Sequence, residues 1–187
     1  MSNNNWYVIT GGPCTGKTTL LAELAKLGHA TVPEAARLVI DEGFAAGKTI
    51  EQIREDEKLF QYQVLRRKEA IEAKTDKKPL TFFDRGMHDT IAYLQSYSWP
   101  IDDEVKEACH IASYEKVFLL DPLPFFEEDG GRTEDASFTQ KINQLLEKAY
   151  EQNGLTVIHV PVLPIKDRVR FILEHVNKQG NKKGTII

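Results

Sequence analysis

Cysteine is scarce in this chain of 187 residues: it occurs twice, as Cys14 and Cys109. The two have neither metal-ligand nor redox spacing, which excludes a disulfide scaffold and a thiolate metal site and predicts a reducing, cytoplasmic setting. Long apolar runs are lacking, so no membrane-spanning helix is expected. The polar, uncharged opening Met1-Ser2-Asn3-Asn4-Asn5 does not read as a secretory signal. Positive charge is not in excess: 24 Lys and Arg stand against 28 Asp and Glu, a formal net charge of −4. A nucleic-acid groove is therefore not the expected main surface, because phosphate-backbone binding is carried by clustered cations. Repeats, low-complexity stretches and linker-like segments are missing as well. The expected organisation is one domain over residues 1–179 and a flexible tail over 180–187. Lys178, Lys182 and Lys183 make too weak a patch to predict a lipid or polyanion partner.

What is present is concentrated near the start. The apolar run Trp6-Tyr7-Val8-Ile9 leads into Gly11-Gly12-Pro13-Cys14-Thr15-Gly16-Lys17-Thr18, a full match to GxxxxGK[ST]. Thr19–Leu27 follows with apolar residues at helical spacing, and Gly28 stops it. Strand, glycine-rich loop and helix are the setting in which this pattern cradles phosphate: backbone N–H groups curl toward the anion and the helix presents its positive end to it. Residues Gly11 to Thr19 are the expected nucleotide cradle. Lys17 would reach the β/γ-phosphates of ATP, or of GTP, and the Thr18 hydroxyl would sit on Mg²⁺. Cys14 reads as a small side chain at an unrestricted position rather than as a redox group.

Strand-like and helical stretches alternate along the whole chain. Trp6–Thr10, Ala30–Pro33, Leu80–Asp84, Lys116–Asp121 and Thr156–Pro161 are apolar rather than alternating, which predicts a parallel sheet buried on both faces. A capping box, Thr49-Ile50-Glu51-Gln52, predicts one long helix running to Ala73; further helices are expected over Met87–Tyr97 and Asp103–Ala112. Residues 122–135, with Gly130, Gly131 and Arg132, read as a lid segment.

Ligands of open parallel sheets bind beyond the carboxyl ends of the strands, so the strand ends supply the remaining candidates. Asp84, after Leu80-Thr81-Phe82-Phe83, has the placement of the acid that holds Mg²⁺. It is preferred over Asp121 because Arg85 and Gly86 follow it. Glu34 is the candidate carboxylate for accepting a proton from a substrate hydroxyl, with pairing to Arg37 one helical turn on as its structural alternative. Arg85 and Arg132 would hold substrate and transferring phosphoryl oxygens. Val162-Leu163-Pro164 would either flank the base of the nucleotide or simply open the last helix. His88, His110 and His159 read as structural, His88 lying close enough to Asp84 to line an acceptor pocket.

There is no NKxD guanine-reading tetrad, no LSGGQ transporter signature and no room for the extra helical domain of ring-forming ATPases. Gly11–Thr19, Pro33-Glu34-Ala35-Ala36-Arg37, Phe83-Asp84-Arg85-Gly86, Gly131-Arg132-Thr133-Glu134 and Val160–Arg168 together resemble one P-loop family. That family includes the ribosylnicotinamide kinase domain of the bacterial NAD-biosynthesis regulator and GTP-binding proteins of the TRP-translocation-defect type. The resemblance implies an α/β, nucleotide-kinase-like three-layer sandwich with a five-stranded parallel sheet in the order 2-3-1-4-5. It also implies a Mg²⁺-dependent kinase that passes the γ-phosphate of ATP to a small nucleoside-like or vitamin-like acceptor, with Glu34, Asp84 and Arg85 in the positions used by deoxynucleoside kinases. A nucleotide-dependent switch acting on a protein or lipid partner is the alternative.

Overall fold

The structure, a computed structural model, describes residues 4–123 and 133–177. Most of the expected lid, including Arg132, and the expected tail over 180–187 lie outside the described residues.

Five strands form one parallel sheet: β1 (Trp6–Thr10), β2 (Ala30–Val32), β3 (Thr81–Asp84), β4 (Lys116–Leu120) and β5 (Val157–Val160). Their order is β2-β3-β1-β4-β5, as expected. Every residue of β1 is buried, because neighbouring side chains enter different layers. Tyr7 and Ile9 pack with Phe82, Phe118 and Leu120 beneath α1 (Lys17–Lys26) and the last helix, here numbered α8 (Ile165–Asn177). Trp6 and Val8 pack with Phe83, Tyr114 and Val117 on the other face. There α4 (Glu57–Glu72), α5 (Asp89–Ser96), α6 (Asp103–Ile111) and α7 (Thr133–Glu151) add Leu65, Leu94, Val105 and Leu146. An apolar strand in the middle of a parallel sheet is thereby covered by helices on both sides.

The termini of α1 follow the local chemistry. Gly16, with φ 89°, turns the chain into the helix. At the other end Gly28, with φ 87°, donates its N–H to the Ala25 carbonyl at 2.9 Å, the left-handed glycine stop seen in the sequence.

The single helix expected from Thr49 to Ala73 is two. Thr49 does form its capping box: Gln52 N donates to Thr49 Oγ1 at 3.3 Å and Thr49 N donates to Gln52 Oε1 at 2.9 Å. The helix it starts, α3 (Ile50–Ile53), ends after one turn. Asp56 is a second cap, accepting the Leu59 N–H at 2.9 Å to open α4. The break lets Ile53 sit on α2 (Ala35–Ala45), where its Cδ1 stands 2.4 Å from the position a Cβ would take on Gly43.

Candidate active site

The strand register brings the site together. Ile9 pairs with Asp84 across β1 and β3, and Thr10 with Leu119 across β1 and β4. The loop after β1 therefore emerges between two strand ends. Gly11 has φ 145°, and a Cβ there would stand 3.0 Å from the Leu120 carbonyl oxygen, so the close approach to β4 requires glycine. Thr15 Oγ1 donates to the Gly12 carbonyl at 3.1 Å, closing the loop on itself. Pro13, Cys14, Thr18 and Thr19 face solvent, Cys14 in the left-handed region at φ 56°.

Lys17 is buried in the cradle. Its Nζ donates to the carbonyls of Gly11 at 2.9 Å and Gly12 at 2.7 Å. Burial and the neighbouring Arg85 charge pull its pKa down to about 7, against the opposing pull of Asp84, Glu34 and Asp89. Asp84 is moved the other way, up to about 6: burial dominates, and the Arg85 and Lys17 charges offset it only in part. Its Oδ1 is buried without a hydrogen-bond partner. Thr18 and Asp84 line one cavity of about 490 Å³ together with Glu34 and Arg37. Mg²⁺ is held in such sites by one or two protein groups plus substrate phosphates rather than by a full protein cage. An unpartnered carboxylate oxygen on Asp84 and an exposed Thr18 lining the same cavity fit that requirement.

Arg85 lies at the centre of the polar network. Its φ of 67° follows the end of β3, and its buried guanidinium donates to Glu34 Oε1 at 2.7 Å, the Gly11 carbonyl at 3.1 Å and Asp89 Oδ1 at 3.1 Å. Asp89 also accepts from Thr10 Oγ1 at 2.7 Å, from Gly86 N at 3.0 Å and from the Tyr150 hydroxyl. Burial alone would raise the Asp89 pKa; the Arg85 and Lys68 charges and these hydrogen bonds reverse the shift and hold it below the usual carboxylate value. Such a buried ion pair has its remaining lone pairs satisfied, the condition under which it is tolerated.

Glu34 stands at the N-terminal end of α2, where its side chain makes no cap hydrogen bond and pairs instead with Arg85, while Arg37 pairs with Asp41; the Glu34–Arg37 pairing is not formed. Glu34 borders two cavities. One is the cavity of Thr18 and Asp84; the other, about 290 Å³, lies between α2, α4 and α5 and is lined by Gln61, Lys68, Tyr93 and Arg85 among others. His88 lines neither: it is buried beside Tyr150, with ring centroids 5.0 Å apart, and burial pushes its pKa down to about 4. His159 bridges Asp121 and Glu147, which accounts for Asp121 away from Asp84.

Four participants were not picked out from the sequence. Asp89 had a signal only in its place, a carboxylate four residues after Arg85 at the first position of α5. Lys68, whose Nζ donates to the Gly86 carbonyl at 2.7 Å, had none. Asn143 on α7 accepts the Gly12 N–H at 2.6 Å and donates to the Leu120 carbonyl at 3.1 Å. Arg168 on α8 donates to the Thr15 carbonyl at 2.8 Å.

A glycine-rich loop between strand and helix, a central strand bearing it, and an acid at the end of the neighbouring β3 define a P-loop protein with the kinase order of strands. The chain belongs to the family described as an AAA domain, which matches residues 6–168. No curated protein matches it. Among solved structures, NadR protein in complex with NR superposes with a TM-score of 0.70 at 15% identity, over 94% of this chain and 50% of that one. The chain thus spans half the length of NadR. Deoxyadenosine kinase from M. mycoides aligns with a TM-score of 0.61 at 17% identity, over 92% of this chain and 98% of that one. Thymidylate kinase from Ehrlichia chaffeensis gives 0.62 at 16% identity, again over 92% and 98%. At these identities the likeness is one of fold, the P-loop kinase fold. Among the described residues no helix is long and apolar enough to cross a membrane.

Proposed function

We propose that the protein is a kinase that transfers the γ-phosphate of a nucleoside triphosphate, ATP in the first instance, to a hydroxyl of a small molecule. The observation that carries this reading is the position of Glu34 on the wall shared by two cavities, one holding Thr18 and Asp84 and the other enclosed by α2, α4 and α5. The donor occupies the first side, with its phosphates on the N–H groups of residues 11–19 and on Lys17. Thr18 and Asp84 would hold Mg²⁺, which would supply neutralisation of the charge on the transferring phosphate. The acceptor enters the second cavity. Its hydroxyl gives its proton to the Glu34 carboxylate as the oxygen bonds to the γ-phosphorus, and the bond from phosphorus to the β,γ-bridging oxygen breaks to release the diphosphate.

Arg85 acts by placement. Its guanidinium holds Glu34 and the Gly11 carbonyl at once, so it fixes the base relative to the cradle. This is a narrower part than the direct grip on phosphoryl oxygens expected from sequence; that grip falls to Lys17 and to Arg132, which lies outside the described residues. The structural likeness to NadR, deoxyadenosine kinase and thymidylate kinase supports the reading, and the bacterial ribosylnicotinamide kinase group remains the finer family to which the motifs point.

The test is incubation with Mg·ATP and pooled nucleosides, nucleotides, vitamins and sugars, read by mass spectrometry for a species that gains one phosphoryl group. Glu34→Gln should lower transfer by about 10²–10⁴ while ATP affinity stays within a few-fold. Tight nucleotide binding with no phosphorylated acceptor in a broad pool would replace the kinase with a nucleotide-dependent switch.

A further inference from the structure

Arg168 is buried, with 2% of its surface exposed, although it stands on the first turn of a surface helix. Its Nε donates to the Pro161 carbonyl at 3.1 Å, on the turn after β5, and its Nη1 donates to Thr15 inside the phosphate loop at 2.8 Å. A Cβ on Gly16 would stand 3.5 Å from that Nη1, so the guanidinium lies directly against the glycine that opens α1. The other nitrogen, Nη2, is buried and has no hydrogen-bond partner.

Both acceptors that Arg168 has among the described residues are neutral carbonyls. Among the described residues no carboxylate forms an ion pair with it; Asp121 acts on its charge from farther away, and burial lowers its pKa. A guanidinium does not deprotonate in a protein, so the charge persists. A buried charge without a counter-ion is unfavourable, and tying two carbonyls together needs only donors, not a cation. The charge and the spare N–H thus call for an anion, and the segment that Nη1 touches, the Thr15 carbonyl beside Gly16, belongs to the loop whose N–H groups form the anion cradle.

We infer that Arg168 is a second cation of the nucleotide site, which holds the phosphate loop through Thr15 and is completed by the polyphosphate of the bound triphosphate. Lys17 fills the inside of the cradle and Arg168 backs it at Thr15 and Gly16. The inference rests on residues 11–19 being the triphosphate site, and is independent of what the acceptor is.

Calorimetric titration of the full chain with inorganic tripolyphosphate and with Mg·ATP tests it, using wild type, Arg168→Gln and Arg168→Lys, each checked for folding by its melting curve. R168Q should bind both ligands about 10–100-fold more weakly, the range for a charge-assisted hydrogen bond. R168K, which keeps the charge but not the fork, should recover most of that loss. R168Q binding within twofold of wild type, or R168K and R168Q weakened alike, overturns the inference. If R168Q does not fold, R168K decides: binding within about fivefold of wild type supports a role for charge, and a loss of about 100-fold overturns it. Failure of wild type to bind either ligand would instead remove the reading of the loop, and the inference with it.

Discussion

At the scale of single residues, the site is set by burial acting on opposite charges. Lys17, pulled down to about 7, is mostly neutral at pH 8, and Asp84, pushed up to about 6, is ionised there. A triphosphate favours the charged form of Lys17, so its pKa rises on binding; a cation favours ionised Asp84, so that pKa falls. Binding of Mg·ATP at pH 8 should therefore be accompanied by proton uptake through Lys17. Near pH 6 that uptake should vanish and proton release from Asp84 should appear. Calorimetry in two buffers of different ionisation enthalpy measures both, and Lys17→Ala should abolish the uptake at pH 8. Uptake that survives in the variant would place the titrating group elsewhere.

At the scale of elements, the phosphate loop is wedged against α7. A Cβ on Gly12 would stand 2.7 Å from Thr139 Cγ2 and 3.1 Å from the Thr139 carbonyl, helix backbone that cannot step aside. Gly12→Ala should cost roughly 1–3 kcal/mol by overpacking and weaken nucleotide binding with it; denaturant melts and ATP titration read the two effects. The loop and the five strands were legible because they rest on local signals, apolar runs and glycine spacing; the strand order was expected from the family resemblance, and Glu34 was singled out by its place after a strand end. The split of α3 from α4 was hidden because Thr49 and Asp56 are both sound helix caps, and only the packing of Ile53 on Gly43 decides between one helix and two. Asn143 and Arg168 were hidden for another reason. Their partners in the loop are 131 and 153 residues away, and no local pattern records a contact made by the closing of the sheet.

At the scale of the whole molecule, both faces of the sheet are closed by helices, and the site draws on β1, β3, β4, α2, α7 and α8 together. A ligand that binds only this assembled form stabilises all of it. Mg·ATP at 100 times its dissociation constant should add about 2.7 kcal/mol and raise the melting temperature by roughly 5–10 °C. Inorganic tripolyphosphate at the same multiple of its own dissociation constant should give a similar shift, and no shift from it would mean that the base, not the phosphate cradle, dominates binding. The Asn143 bridge has a consequence of its own. One amide clasps the point where the chain leaves the sheet, at Leu120, to the point where α7 carries it back over Gly12. The end of β4 and the middle of α7 are therefore buckled together, and the nucleotide cradle is itself part of the buckle.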